Sequence, residues 1–189
     1  MRVATIKPRS KTAGLSLDEL NNERIEVFLA GCNIAASGHP CPDCFNQDLW
    51  NGKFFPNISS KQLFDDVAEI SKATKNKYIT IVGGEPLDQY QELTDFIERL
   101  YCDYFHIVVI THYTMKKIRK DFPLILKWVD TIIDGVYDRT KRTFDECKTP
   151  GIYQVVGSSN QKIWHQNDDC TWSEVDKTNS EEIKAAYFC

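Results

Sequence analysis

Four short apolar runs recur along the chain, and segments with helical periodicity separate them. The runs cover residues 25–30, 77–82, 105–111 and 129–133. The helical segments cover residues 61–74, 87–100 and 113–126. Strands that alternate with helices form a parallel sheet, and the carboxyl ends of its strands meet at one edge. The sequence therefore predicts an α/β fold whose functional residues lie just after the strands.

The segments around this repeating core are less regular. Residues 1–6 are predicted as an initial strand, and residues 7–22 as a loop. The stretch 138–150 is rich in charge, which fits either a solvated loop or a docking surface. Residues 152–156 fit a further short strand.

A length of 189 residues is enough for one domain with its own hydrophobic core. We expect that domain to have its core at 25–165 and a polar tail at 166–189, which includes a helix over 180–188. The net charge is −4, and no block of clustered basic residues offers a surface for nucleic acid. No stretch approaches the roughly 18 consecutive apolar residues that a membrane span needs.

Seven cysteines, an odd number, exclude a complete disulfide framework within one chain. The basic N-terminal segment lacks the apolar centre of a secretion signal. We therefore expect a cytoplasmic protein whose thiols stay reduced. Three of the thiols, those of Cys32, Cys41 and Cys44, share the stretch directly after the first apolar run. The remaining four are interpreted as structural or incidental: Cys102, Cys147, Cys170 and Cys189.

The spacing of the three clustered cysteines indicates a metal site. Eight residues separate Cys32 from Cys41, and two separate Cys41 from Cys44. Thiolates select zinc, copper(I) or iron–sulfur clusters, and a structural zinc site closes with four ligands, for which His39 is the candidate fourth. A cubane cluster held by three cysteines instead leaves one iron open, which is what a catalytic site needs. From the residues alone, an iron–sulfur cluster, zinc and no metal all stay open.

Residues after the later strands are candidates for contacts with a cofactor. Gly83 and Gly84 let the backbone turn sharply and a ligand come close, although an ordinary strand-to-helix turn explains them as well. Thr111 follows the third strand, where ligand-contacting residues gather in parallel α/β folds. Asp134 ends the fourth strand and fits either a hydrogen bond to a ribose hydroxyl or a cap for the next turn. Asn160 carries a side-chain amide near the same expected edge.

Four stretches, in order, resemble the radical S-adenosylmethionine (SAM) superfamily and, more narrowly, the activating proteins of anaerobic ribonucleotide reductase. They are GCNIAASGHPCPDCFNQDLW at 31–50, IVGGEPL at 81–87, VDTIIDG at 129–135 and GSSNQK at 157–162. The clear departure is the first cysteine spacing, since the family pattern has three residues there and this chain has eight. The extra residues within 33–40 are expected to bulge outward as a compact excursion that returns Cys41 to its usual place.

The resemblance implies an incomplete (β/α) barrel of mostly parallel strands, in which Cys32, Cys41 and Cys44 hold a [4Fe–4S] cluster. SAM would chelate the open iron through its amino and carboxylate groups. One electron from the reduced cluster would split SAM into methionine and a 5′-deoxyadenosyl radical. That radical would remove a hydrogen atom from a glycine of the large subunit of anaerobic ribonucleotide reductase. An electron donor such as a flavodoxin or ferredoxin is implied as well.

The same resemblance assigns further contacts with SAM. It places the turn at Gly83, Gly84 and Glu85 around the methionine amino group, with Glu85 either adding negative charge or supporting the turn. It also places Phe45 near the adenine, with backbone groups of Asp43 and Phe45 as the hydrogen-bond partners of that ring.

Two other functions fit parts of the sequence. The long first cysteine spacing slightly favours a radical SAM enzyme that acts on a small molecule, such as a 7-carboxy-7-deazaguanine synthase. The Asn-x-x-x-Trp motif after Phe45 and the stretch 157–161 favour the activase instead. A zinc-binding interaction module is the remaining alternative.

Overall fold

The computed structural model of the chain describes residues 1–10, 23–143 and 156–188. The strand predicted at 152–156 and the charged stretch predicted at 138–150 fall largely outside the described residues, as do Cys147 and Cys189. The prediction of a loop from residue 7 onward is wrong for residues 7–10, because these residues continue the first strand.

The described residues form helices around a sheet of seven strands, so the predicted α/β class is confirmed. The strands lie in the sheet in chain order: β1 (Val3–Ser10), β2 (Arg24–Leu29), β3 (Tyr78–Gly83), β4 (His106–Ile110), β5 (Thr131–Asp134), β6 (Lys162–Gln166) and β7 (Trp172–Glu174). The central strands β2 to β5 are parallel, while β1, β6 and β7 pair antiparallel with their neighbours. The carboxyl ends of the four central strands therefore meet at one edge, as predicted.

The described residues also contain five α-helices: α1 (Asn33–Ala36), α2 (Ser60–Thr74), α3 (Tyr90–Cys102), α4 (Met115–Asp121) and α5 (Ser180–Phe188). Ser59 caps α2, because its hydroxyl accepts a hydrogen bond from the backbone N–H of Gln62 at 3.1 Å. Lys75 ends α2 in the left-handed conformation, with φ of 55°. The helix predicted over 113–126 breaks before Pro123, which cannot donate a backbone hydrogen bond, and a short 3₁₀ helix follows.

Helices cover both faces of the central strands. On one face α2, α3 and α4 bury Leu63, Leu93 and Ile118 against the sheet. On the other face α5 buries Ile183 and Tyr187. Burial on both faces explains why the central strands appear in the sequence as continuous apolar runs.

The C-terminal helix α5 is tied to the amino ends of two strands. The buried guanidinium of Arg24, at the start of β2, donates a hydrogen bond to the carbonyl of Tyr187. The hydroxyl of Thr131, at the start of β5, donates to the carbonyl of Ala186. These two donors give partners to carbonyls in the last turn of α5, which a helix leaves unpaired. The stretch predicted as a polar tail therefore contributes a packed helix to the second core.

Two local features differ from the sequence prediction. The helix expected over 87–100 begins only at Tyr90, because Pro86–Gln89 first form a 3₁₀ helix. The antiparallel pair β6 and β7 lies in a mostly polar stretch, where no alternating apolar pattern indicates a strand.

The helices of the described residues are all too short or too polar to cross a lipid bilayer.

Candidate metal centre and cofactor pocket

A pocket opens at the edge where the four parallel strands end. It contains about 1000 Å³ of space, part of it continuous with solvent. Each central strand contributes residues at or just after its carboxyl end: Cys32 after β2, Gly83 and Gly84 at β3, Thr111 and His112 after β4, and Gly135 after β5. A pocket in this position is typical of small-molecule cofactor sites in α/β folds.

All three clustered cysteines line this pocket. Cys32 lies three residues after the end of β2, and its carbonyl accepts a hydrogen bond from the backbone N–H of Ala36 at 2.9 Å within the first turn of α1. The excursion at 33–40 is compact, since α1 and a turn return the chain to Cys41. A tight turn joins the other two cysteines, in which the backbone N–H of Cys44 donates to the Cys41 carbonyl at 3.2 Å. The long first spacing therefore still brings the three thiols to one pocket.

The surroundings of the thiols fit a polynuclear metal cluster. Burial and the neighbouring Cys44 and Cys32 thiols raise the pKa of Cys41, so three thiolates need bound positive charge to coexist. The backbone N–H of Asn46 lies 3.4 Å from the Cys44 sulfur, and hydrogen bonds of this kind tune iron–sulfur clusters. Within the described part of the chain, no three histidine, cysteine or acidic side chains meet around a single ion position. A cluster in which the three thiolates bind three different irons needs no such single point.

The turn at Gly83 and Gly84 packs directly against the end of β2 and the segment that follows it. A Cβ on Gly83 would lie 2.0 Å from the Leu29 carbonyl oxygen, and a Cβ on Gly84 would lie 2.1 Å from that of Gly31. Gly83 also has φ of +132°, which side chains rarely allow. The backbone N–H of Gly84 donates to the Leu29 carbonyl at 2.8 Å. This close backbone packing is sufficient reason for glycine at both positions. Both residues also line the pocket.

Glu85 is fully buried behind this turn and lies outside the pocket wall. Its carboxylate accepts hydrogen bonds from the Thr111 hydroxyl at 2.7 Å and from the backbone N–H groups of Leu87 and His112, both at 2.9 Å. The His112 Nδ1 atom lies 2.7 Å from the same carboxylate. Glu85 thus connects the ends of β3 and β4, which corresponds to the supporting role among the two expected for it.

Two side chains connect the cysteine loop to the neighbouring strand ends. Burial alone would lower the pKa of His112, but its hydrogen bond with Cys32 and its contact with Glu85 raise that pKa to about 9. The side-chain amide of Asn46 donates to the Gly83 carbonyl at 2.9 Å. That carbonyl keeps a second lone pair, which a ligand can use.

Aromatic side chains form one wall of the pocket. Phe45 is 53% exposed and lies against Tyr137, with ring centroids 5.0 Å apart. The guanidinium of Arg142 lies 5.2 Å from the centroid of the Phe45 ring. The Tyr137 hydroxyl is buried and makes no hydrogen bond within the described residues. An aromatic wall with an unused hydroxyl suits a flat heterocycle that carries polar groups, such as adenine.

Besides Glu85, three residues of the predicted site lie outside the pocket wall. The exposed carboxylate of Asp43 pairs with Arg139 at 2.9 Å. Asp134 accepts a hydrogen bond from the backbone N–H of Met115 at 2.5 Å, so its carboxylate holds the start of α4, which is neither of the two roles expected for it. The exposed Asn160 donates its side-chain amide to a backbone carbonyl at 2.9 Å.

The pocket wall also contains residues that the sequence analysis did not single out. Among them are Glu26, Phe28, Val82, Ile110, Ile133 and Tyr137. Most of these residues occupy alternate strand positions that share one face of the sheet. Because the central strands are buried on both faces, the sequence pattern does not indicate which face lines a pocket.

Comparison with known proteins agrees with a cluster at this place. The family model of a 4Fe-4S single cluster domain matches residues 22–164. An anaerobic ribonucleoside-triphosphate reductase-activating protein of Haemophilus influenzae is 29% identical over 129 residues, which cover 64% of this chain and 79% of that protein. A protein of the same name from Enterobacteria phage T4 is 28% identical over 159 residues, which cover 79% of this chain and 87% of that protein. The family match covers well over half of the chain. The chain therefore belongs to the 4Fe-4S single cluster domain family.

Proposed function

We propose that this protein is an iron–sulfur radical SAM activase that cleaves SAM reductively and generates a glycyl radical on anaerobic ribonucleotide reductase. The observation that carries the proposal is the meeting of Cys32, Cys41 and Cys44 with the Gly83–Gly84 turn around one pocket. The two relatives described above support it, since both are named as activating proteins of an anaerobic ribonucleoside-triphosphate reductase.

In this proposal Cys32, Cys41 and Cys44 hold a [4Fe–4S] cluster, and one iron stays open to SAM. When bound, the cluster and SAM supply reductive bond cleavage and hydrogen-atom removal. The chain itself positions these groups. The Gly83 carbonyl is an acceptor for the methionine ammonium, and the wall of Phe45 and Tyr137 receives the adenine.

We further propose that the sheet is the incomplete (β/α) barrel of the radical SAM type. The four parallel strands that end at the pocket are consistent with this architecture. Below the pocket, α5 packs on the face of the sheet that lines the interior. Phe28, Val82 and Ile110 make the inner wall apolar, which limits the water that reaches the reacting groups.

The proposed protein substrate is the large subunit of anaerobic ribonucleotide reductase. Phe45 lines the pocket and is exposed, so a partner that inserts a segment there covers its ring. We propose a flavodoxin or ferredoxin as electron donor, a cytoplasmic location, and neither nucleic acid nor membrane as a partner. The five described cysteines are all free, which is consistent with a reducing compartment.

The test is reductive SAM cleavage by the protein after anaerobic reconstitution with iron and sulfide. With a chemical reductant, the wild type is expected to release 5′-deoxyadenosine, and Cys41→Ala is expected to release none. Addition of the anaerobic reductase from the same organism is expected to produce a glycyl-radical signal in electron paramagnetic resonance. A fully loaded cluster without SAM cleavage contradicts the proposal.

The small-molecule alternative rests on the eight-residue spacing between Cys32 and Cys41. In the structure this spacing forms α1 and a turn, and it leaves the three thiols at one pocket. The spacing therefore places no constraint on the substrate, and the names of the relatives favour the activase. The zinc-module alternative is disfavoured by membership of the 4Fe-4S family.

A further inference from the structure

One carboxyl group in the pocket has an oxygen atom without a partner. Glu26 lies on β2, lines the pocket and is only 2% exposed. Its Oε1 atom is buried and makes no hydrogen bond within the described residues. Buried polar atoms without a partner are rare in native proteins, because burial removes their hydrogen bonds to water. The Glu26 oxygen is therefore an unused acceptor inside the candidate active site.

The charged neighbour of Glu26 on the same face of β2 is engaged elsewhere. Arg24 is fully buried, and its guanidinium donates to the Thr80 hydroxyl at 2.9 Å, to the Ile79 carbonyl at 2.7 Å and to the His106 carbonyl at 3.1 Å. These hydrogen bonds hold the amino ends of the central strands together. Arg24 therefore supports the base of the sheet and leaves the Glu26 Oε1 atom unpaired.

Glu26 lies deeper in the pocket than the candidate cluster ligands. It pairs with Thr80 on β3, whereas Phe28 pairs with Val82 one step nearer the carboxyl edge. Two residues along a strand correspond to roughly 6.5 Å. The layer that contains Phe28 and Val82 thus lies between the level of Glu26 and the strand ends, where Cys32 follows β2.

We propose that Glu26 accepts a hydrogen bond from a backbone N–H of the peptide segment that carries the target glycine. This inference rests on the proposed activase function and names how the protein substrate is held. The candidate contacts for the cluster and SAM lie at the strand ends. Glu26 lies deeper in the pocket, so we assign its oxygen to the substrate segment that reaches past the cofactor.

The chemistry of the substrate fits this acceptor. Glycine has no side chain, so the segment around it is recognised through backbone groups. Each backbone N–H that enters an apolar pocket needs an acceptor to replace water. The side chains of Phe28, Val82 and Ile110 offer none, and the free oxygen of Glu26 supplies one.

The test compares Glu26→Leu, which removes the acceptor, with Glu26→Gln, which keeps a carbonyl oxygen. Glu69→Leu is the matched control, because Glu69 is exposed on α2, away from the pocket. Each protein is reconstituted anaerobically. The first measurements are iron per chain, the thermal midpoint of unfolding, SAM binding, and SAM cleavage without a partner. Glycyl radical formed per SAM cleaved is then measured with the anaerobic reductase from the same organism.

We expect Glu26→Leu to keep wild-type iron content, because Glu26 is not a candidate cluster ligand. The radical yield is divided by the SAM cleaved, so that any change in SAM binding or in partner-free cleavage is read separately. The thermal midpoint of Glu26→Leu is expected not to fall, because the substitution removes an unpaired buried polar group. The glycyl radical formed per SAM cleaved is expected to drop about tenfold, as loss of one buried hydrogen bond predicts. We call this ratio of glycyl radical to SAM cleaved the coupling. Glu26→Gln is expected to restore part of the coupling, and Glu69→Leu is expected to match the wild type.

Three outcomes overturn the inference. Coupling in both Glu26 variants equal to that of Glu69→Leu means that the oxygen binds only water. A loss of SAM binding in Glu26→Leu that accounts for the loss of radical assigns the acceptor to the cofactor instead of the peptide. A wild type that holds its cluster but cleaves no SAM removes the activase function, and the inference with it.

Discussion

The side-chain amide of Asn46 donates a hydrogen bond to the backbone carbonyl of Gly83 at 2.9 Å. This bond joins the loop that carries Cys41 and Cys44 to the turn at the end of β3. The backbone N–H of the same asparagine faces the Cys44 sulfur. One residue thus connects the candidate cluster to the candidate site for the methionine end of SAM.

Asn46→Ala removes the amide and leaves the backbone N–H in place. We expect iron per chain to stay near the wild-type value, because the three thiols are unchanged. SAM binding is expected to weaken about fivefold, which corresponds to the loss of one hydrogen bond worth about 1 kcal/mol. Equilibrium binding of SAM to the reconstituted protein measures this. The control is Asn51→Ala, whose side chain caps a turn outside the pocket wall, and equal affinity in the two variants contradicts the prediction.

Replacing Cys32, Cys41 or Cys44 individually by alanine is expected to remove most of the bound iron and all SAM cleavage. The reason is that these three thiols line one pocket, and a cluster with a missing ligand is poorly held. Cys102→Ala and Cys170→Ala are the controls, since both residues are exposed and lie outside that pocket. Iron and acid-labile sulfide per chain are the measurements. Loss of the cluster in Cys170→Ala contradicts the three-ligand assignment.

Gly84→Ala is expected to lower both the stability of the fold and the iron content. Its new Cβ would lie 2.1 Å from the Gly31 carbonyl oxygen, so the segment leading into Cys32 must shift. Overpacking of this kind costs about 3 kcal/mol. Gly38→Ala is the control, because a Cβ there meets nothing within 4 Å and the positive φ costs only about 1 kcal/mol. Chemical denaturation and iron analysis give the comparison, and wild-type iron content in Gly84→Ala would contradict the expected shift of the cysteine loop.

The sequence predicts the central strands and the residues that follow them, because both signals are local. Each strand is a short apolar run, and parallel strands in register bring their ends to one edge. This reasoning places Cys32, Gly83 and Thr111 together, as the structure has them. It also leaves two roles open for Asp134, and the structure gives its carboxylate a partner at the start of α4.

The features that the sequence does not predict depend on contacts between distant parts of the chain. Arg24 and Tyr187 are 163 positions apart, and only the folded structure shows that the Arg24 guanidinium donates a hydrogen bond to the Tyr187 carbonyl. The acceptor role proposed for Glu26 depends on which face of β2 lines the pocket, and a strand that is buried on both faces does not reveal this. Tyr137 joins the wall through its contact with Phe45, which no sequence spacing indicates.

His106 is expected to make the fold sensitive to acid. Burial and the nearby charge of Arg24 lower the pKa of His106 to about 3, from 6.5 in an unfolded chain. As the pH falls below 6.5 the unfolded chain takes up a proton that the folded chain does not, so the stability present above 6.5 is lost progressively toward pH 3. The slope is about 1.4 kcal/mol per pH unit.

His106→Leu is expected to flatten this dependence, whatever its effect on stability at neutral pH. Denaturation curves at a series of pH values below 6.5 measure the slope. His39→Leu is the control, because His39 is exposed. If the free energy of unfolding falls with pH equally in His106→Leu and in the control, other groups cause the loss of stability.

The excursion at 33–40 lies at the rim of the pocket and is held there by a small polar network. The backbone N–H of Asn33 donates to Asp88 at 2.7 Å, and its side-chain amide donates to the Tyr113 hydroxyl at 2.6 Å. Ile34 of α1 lines the pocket. His39 is exposed and lies outside the pocket wall. The excursion therefore contacts the rim without supplying a visible fourth ligand among the described residues.

Shortening residues 33–40 to three residues is expected to keep the cluster and partner-free SAM cleavage but to change activation of the partner. Loop closure accounts for the first part, since a change of a few residues in a loop alters the free energy by on the order of 1 kcal/mol or less. The position of Ile34 at the pocket accounts for the second, because a partner that enters the pocket meets α1. Iron content, SAM cleavage and glycyl-radical yield are the three measurements. His39→Ala is the matched control and is expected to leave all three unchanged. Loss of the cluster in that variant would make His39 a fourth ligand, close the iron that SAM needs and contradict the activase mechanism.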